Sequence, residues 1–212
     1  MRTFRQKRAK DTHEALLRAA ARVFAERGFD GAQAPAIAKA AGVSTGAFYR
    51  YFEDKRHAFL EMISHEAERA YQTMLSELDA ARFAATGARG GIATVLELLF
   101  AGMRTDAALL RVYFDMSRRD PDVAALRAAY DNRARETICQ ILTALVPRTV
   151  IADPAAAALV MHVAAIEVVS ERMGLRPRDP RLDDRAVLGA LGDMLHAYVR
   201  GRPRAGGPGK KK

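Results

Sequence analysis

Apolar positions in this chain recur three and four residues apart, without sustained two-residue alternation, which predicts helices from end to end. Leu16, Ala20, Val23 and Phe24 share one face of a first helix, opened by Asp11 and Glu14 as a capping box and stopped by Gly28. A second, short helix over 34–41 buries Ile37 and Ala38, and Gly42 ends it by adopting left-handed backbone. Ser44 offers its hydroxyl as cap to a third helix, over 45–51, and Asp54 caps a fourth. The fourth runs from Lys55 to about Arg82, with Phe59, Met62, Ile63 and Ala67 inward, and spans roughly 40 Å at 1.5 Å per residue.

Beyond a break at 86–91 (TGARGG), a fifth helix turns Leu96, Leu99, Phe100 and Met103 inward, and a sixth over 106–117 is apolar on most sides. Asp120-Pro121 and Asp153-Pro154 open two more, since the acid caps and proline needs no N–H in a first turn. The ninth covers 184–200, with a stripe at Val187, Leu188, Leu191, Met194, Leu195 and Tyr198. The fold class is therefore all-α, with about nine helices. The eighth helix, 154–173, is apolar nearly all round and must be covered on both sides. Its stripe at Leu159, Val163, Ile166 and Ser170 is assigned to its own core. Ala157, Met161, Ala164 and Val168, with Leu188, Gly189, Leu191, Gly192 and Leu195 of the ninth helix, are assigned to a four-helix homodimer interface. The alternative is a central core helix in a monomer.

Charge changes the picture by its placement. The formal net charge is +9, but residues 1–56 hold 12 Lys/Arg against 6 Asp/Glu and residues 200–212 hold 6 Lys/Arg with no acid. Residues 57–199 carry 16 basic and 19 acidic groups. A basic head on a slightly acidic body suits a phosphate-binding module attached to a domain with another task. The expected organisation is a flexible basic arm over 1–10, a helix-turn-helix domain over 11–55, a ligand-binding and dimerisation domain over 56–200, and a disordered basic tail over 201–212. The single Cys139 cannot form an intramolecular disulfide and fits a reducing compartment. The chain starts without a secretion-type apolar run, and the apolar stretch 155–169 is interrupted by His162 and Glu167 and short for a bilayer. A cytoplasmic protein without membrane partners is expected.

The small residues Thr45, Gly46 and Ala47, followed by Tyr49 and Arg50, suit a helix presented end-first to a flat anionic partner, with DNA the leading candidate. The stretch 12–60, with AAARVFAERGF, IAKAAGVS, GAFYRYF and DKRHAFL as its landmarks, resembles the N-terminal DNA-binding domain of tetracycline-repressor (TetR) type regulators. The resemblance implies that Thr45, Gly46 and Ala47 read base edges, that Tyr49 touches a phosphate, and that Lys55 binds a phosphate at the start of the fourth helix. Gln33 stands where the family touches phosphate, Ser44 is placed on the DNA side with Thr45, and Arg50 meets either phosphate or solvent. The second helix departs from the family pattern: Gln33 stands at its usual Thr or Ser cap and Pro35 at its usual Arg. Phe48, Tyr51 and Phe52 are assigned to the three-helix core.

The function expected is a homodimeric transcriptional regulator bound to a near-palindromic double-stranded operator, a repressor released by a small-molecule effector. The alternative is an architectural DNA-binding protein without an effector. Candidate effector-lining residues are Phe100, Met103, Arg104, Tyr113, Met116, Tyr130, Cys139, His162 and Glu167. Glu167 stands out because a carboxylate between Ile166 and Val168 must pair, meet solvent at a seam, or meet a ligand. An enzyme is not expected. The five histidines are scattered, with His57 and His65 eight apart on the fourth helix and too far to share a metal unaided, and neither HExxH nor CxxC occurs, so no metal or cofactor is assigned.

Overall fold

The computed structural model describes residues 2–77, 80–105, 107–177 and 179–201, with side chains for all of these but 2–6, 77, 80–86, 88, 103 and 105. The described residues form α1 (Arg2–Gly31), α2 (Ala34–Ala40), α3 (Thr45–Phe48), α4 (Lys55–Glu77), α5 (Ala80–Thr105), α6 (Ala107–Arg119), α7 (Pro121–Leu145), α8 (Pro154–Arg172) and α9 (Asp184–Arg200), and no strand. They gather into two compact units: residues 1–73 with 102–130, and residues 74–101 with 131–212. Helices α4, α5 and α7 each contribute to both.

The core of the first unit draws on α1 to α4 and on α6 and the start of α7. Phe24, Phe48, Phe52 and Phe59 are fully buried with Leu16, Ile37 and Met62, and Leu109, Met116 and Val123 join the same cluster. The Phe24 and Phe59 rings meet edge-on at 5.0 Å, and the Phe48 and Phe52 rings lie 5.2 Å apart and tilted by 50°. Burying one such side chain contributes about 1.5–3 kcal/mol, so this cluster holds the short α2 and α3 in place, which neither could manage alone. Two ion-pair groups lace the rim. The Arg56 guanidinium donates to both carboxylate oxygens of Asp120 at 2.6 and 2.8 Å and to Asp122, and Arg119 joins Asp30 at 3.0 Å to Asp115 at 2.9 Å.

In the second unit, Leu96, Leu142, Ile151, Ala157, Ala158, Met161, Leu191 and Leu195 form the core. Arg172 is fully buried at the end of α8. Its guanidinium donates to Asp184 at 2.7 Å and to the carbonyls of Leu182 and Asp179 at 2.7 and 3.2 Å, which ties the 174–183 loop to the start of α9. Asp153 caps α8 through its side chain, as the Asp-Pro start predicts, and Asp183 caps α9 in the same way.

Several boundaries differ from the sequence expectation. Helix α1 begins at Arg2 and runs straight through Asp11, so the expected capping box is interior to a helix. Helix α4 ends at Glu77, and the expected break falls within α5 at Gly87, whose φ of 65° only glycine adopts readily. Helix α3 stops at Phe48 and continues as turns. The expected tail, 202–212, lies outside the described residues, as do the side chains of Arg2 and Arg5.

Over its first half the two stripes of α8 are exchanged relative to expectation, whereas Ser170 is buried as expected and Ile166 half-buried. Ala157 and Met161, assigned to a partner subunit, are buried in their own unit's core, with Ala164 and Val168 packed against them. Leu191 and Leu195 of α9 are buried there too, and a Cβ at Gly192 would meet Leu96 at 3.7 Å, within the same unit. Leu188 is half-buried, and Gly189 is exposed. The outward residues are Leu159, Val160 and Val163 on α8 and Met194 and Tyr198 on α9, 44–62% exposed. The small Ala157/Ala164 edge lets α9 approach closely, so close packing within the chain takes that stripe. By length and composition alone α8, at 19 residues, could also cross a bilayer, so it is not too short for that. Its Ala157–Ala158–Met161 edge lies instead against protein.

Candidate nucleic-acid interface

The interface is built on the turn between α2 and α3. Gly42 takes φ 72°, its N–H reaches the Lys39 carbonyl at 3.1 Å, and the Val43 N–H reaches that of Ala38 at 3.0 Å. The chain is thereby turned sharply at the end of α2. Ser44 caps α3 by accepting the Ala47 N–H on Oγ at 3.1 Å. Phe48 pins α3 from below, and the Tyr49 ring lies edge-on to it at 5.3 Å while remaining 56% exposed.

This base presents Gly46, Tyr49 and Arg50 to solvent, with Thr45 half-buried beside them. Ala47 points inward and is 7% exposed, because it follows the same helix face as Phe48 toward the core. Its methyl is not offered for base contact. Gln33 is exposed, and its side chain makes no cap bond to α2, as its residue type predicts.

Lys55 departs most from its expected role. Its ammonium donates to the carbonyls of Phe29, Asp30 and Ala32 at 3.0, 3.1 and 3.1 Å, and sits 4.9 Å from the centre of the Phe29 ring. An ammonium has three N–H donors, and all three are used to close the end of α1. At the start of α4, Asp54 accepts the His57 N–H at 2.7 Å while His57 Nδ1 accepts the Glu53 N–H at 3.2 Å. That pairing is a reciprocal cap with histidine in the usual Glu/Gln place, and the Asp54-x-x-His57 spacing is its sequence signal.

Sequence reading misses three contacts that fix the head. Arg22 of α1 donates to the Ala40 carbonyl at 2.9 Å and so caps the C-terminus of α2. The Arg56 and Arg119 clamps are the others, and they reach 64 and 89 residues along the chain, beyond any local pattern. The guanidinium of Arg56 holds the Asp120 carboxyl below its usual range, and Arg119 does the same for Asp115.

The candidate effector-lining residues are divided between the two units. Arg104, Tyr113, Met116 and Tyr130 fall in the first unit, whereas Phe100, Cys139, His162 and Glu167 fall in the second. Met116 is core, and the Tyr130 hydroxyl donates to the Ser64 carbonyl at 3.0 Å. His162 lies 3.2 Å from Asp131, and Glu167 pairs with Arg176 at 2.7 Å, which meets the need its apolar neighbours create. The Met103 side chain lies outside the described residues. A surface groove of about 510 Å³ lies elsewhere in the first unit, among Arg18, Arg22, Ala40, Glu66, Arg69 and Leu109.

Residues 16–62 match the family model of bacterial regulatory proteins, tetR family. This stretch holds the core of the head and the whole turn just described. The head of the chain is similar to the DNA-binding domain of that family. Over 75 residues it is 43% identical to the HTH-type transcriptional repressor BepR of Brucella suis, which aligns 35% of this chain with 34% of the relative. Over 64 residues it is 34% identical to the HTH-type transcriptional repressor AcnR of Corynebacterium efficiens, 30% of this chain with 34% of that one. The chain thus spans about a third of the length of the curated relatives it matches. Among solved structures, a TetR-family regulator from Mesorhizobium loti is similar over 91% of this chain and 97% of its own, with a TM-score of 0.71 and 19% identity. The fatty acid degradation regulator FadR of Bacillus halodurans is similar over 90% and 97%, with a TM-score of 0.67 and 21% identity. These likenesses show that the fold of the helices beyond the head is shared with those structures.

Proposed function

We propose that the chain is a sequence-specific DNA-binding transcriptional regulator, acting as a repressor that a small-molecule effector releases. The observation that carries this reading is the exposed start of α3, with Thr45, Gly46 and Tyr49 mounted on the Ser44 cap and the buried Phe48. A short helix held this rigidly can enter the major groove, while Tyr49 and Arg50 hold phosphates. The similar proteins BepR and AcnR are repressors by name, which supports the sign of regulation. The organisation we propose is a DNA-binding head over 11–55 and a body over 56–200 that binds the effector and dimerises, in a protein that works in the cytoplasm.

Dimerisation would orient two heads on a near-palindromic operator, one half-site each. We assign the dimer face to Leu159, Val160, Val163, Met194 and Tyr198. Large apolar side chains left exposed on two packed helices are what a second copy would cover. Release by effector requires roughly 5.5 kcal/mol of differential affinity to move the population nearly completely.

The experiment is selection of bound duplexes from a random pool, with and without a metabolite library. Recovery of one near-palindromic motif supports the reading, and Thr45→Ala should change the preferred base at one position of each half-site. Uniform binding to every duplex would instead make the chain an architectural protein.

A further inference from the structure

We propose that residues 7–10 at the start of α1 form a second phosphate-binding element, fixed beside the recognition helix by the Tyr51 hydroxyl. The inference rests on the DNA-binding reading above and adds to it a place, a set of cations and a tether.

Continuity comes first. Helix α1 runs unbroken from Arg2 past Asp11, so Lys7, Arg8 and Lys10 ride on a helix rather than on loose chain. All three are exposed. Lys7 and Arg8 make no ion pair among the described residues, and Lys10 has only Glu14 at 3.9 Å, with its own side chain 78% exposed.

The tether is specific. The Tyr51 hydroxyl donates to the Ala9 carbonyl at 3.2 Å, across 42 residues of sequence. Ala9 sits in the middle of the basic run, and Tyr51 lies three residues beyond the end of α3. His13 reinforces the join, with its ring 5.6 Å from those of both Tyr51 and Phe52 and its Nε2 2.7 Å from Glu61. The cations are therefore held within one hydrogen bond of the chain leaving the recognition helix.

The usual phosphate donors of the head are also occupied or absent. The Lys55 ammonium closes the end of α1 on three carbonyls. Pro35 brings neither charge nor N–H to the start of α2, and Gln33 makes no cap bond there. Besides Arg50 and the exposed Lys39 at the end of α2, residues 7–10 would supply cations to a duplex seated on α3. Exposed ammonium and guanidinium groups on a fixed helix suit phosphate oxygens, which accept without regard to base sequence.

The test uses the full chain and its selected duplex, with affinity measured across salt concentration. Each phosphate neutralised contributes about 0.9 to the slope of log K against log salt. The Lys7→Ala/Arg8→Ala/Lys10→Ala variant should lose about 2–3 from that slope. Tyr51→Phe should weaken binding several-fold in the natural background and have no effect in the triple variant, a coupling that general destabilisation would not produce. A triple variant with the slope of the natural chain overturns the proposal while leaving DNA binding intact. Loss of binding to anionic vesicles in that variant, with the DNA slope unmoved, overturns it in favour of a lipid surface. Failure of the natural chain to bind any duplex removes the functional reading, and this inference with it.

Discussion

The α3 region and the α8–α9 pair both consist of helix packed on a core, yet they present their faces by different logic. In α3, polar and apolar residues are sharply divided: Phe48 and Phe52 are buried, while Gly46, Tyr49 and Arg50 are exposed. One orientation satisfies both groups. In α8, two apolar stripes compete, and close approach of α9 decides between them in favour of the smaller one. Contrast within a helix determines its facing from within, whereas a uniformly apolar helix takes its facing from its neighbours.

That contrast can be broken most severely at Phe48. Phe48→Ala leaves a cavity under α3 and should cost about 3–5 kcal/mol in chemical denaturation, with DNA binding lost as the head melts. A loss below 1 kcal/mol would mean that α3 is not held from beneath. Val163→Asp tests the other region. It places a charge on the 48%-exposed outward stripe and should weaken dimerisation at least tenfold, or about 1.4 kcal/mol, by sedimentation while leaving the folded monomer intact. Unfolding of the monomer instead would restore the inward assignment of that stripe.

Gly42→Ala sharpens the role of the turn. A Cβ there meets nothing within 4 Å, so the cost is the left-handed backbone alone, about 1–2 kcal/mol. Denaturation midpoints check it, and an unchanged midpoint would remove the turn from the account. The smallest effect concerns acid. Arg56 holds the Asp120 carboxyl below its ordinary value of 3.8, so the contribution is present above that value and fades as pH falls through the lower folded one. Asp120→Asn keeps a good cap for α7 and removes the charge. Its urea midpoint should fall less steeply than that of the natural chain on acidification below about pH 4. Equal slopes would mean that the clamp to Arg56 does not couple to folding.

Reading along the chain recovers the helix order, the Ser44, Asp120 and Asp153 caps and the exposed start of α3, because each depends on residues within a few positions of one another. It misplaces the role of Lys55, whose three carbonyl partners lie 23–26 residues away. It also misplaces the start of α1: Asp11 and Glu14 suit a cap, but Tyr51 supplies a partner to Ala9 from across the fold. Ala47 is a subtler miss, since a small residue is equally at home against a base edge or a core.

Local chemistry alone therefore determined that this chain is helical, where its turns fall, and that a basic head precedes a more acidic body. Periodicity, capping and proline act over one or two helical turns, and sequence displays them directly. Only tertiary packing decided which stripe of α8 faces inward, that Lys55 closes α1, and that α6 and the start of α7 share the core of the head. Those outcomes depend on which distant groups meet and how closely backbones can approach, and no span of neighbouring residues encodes either.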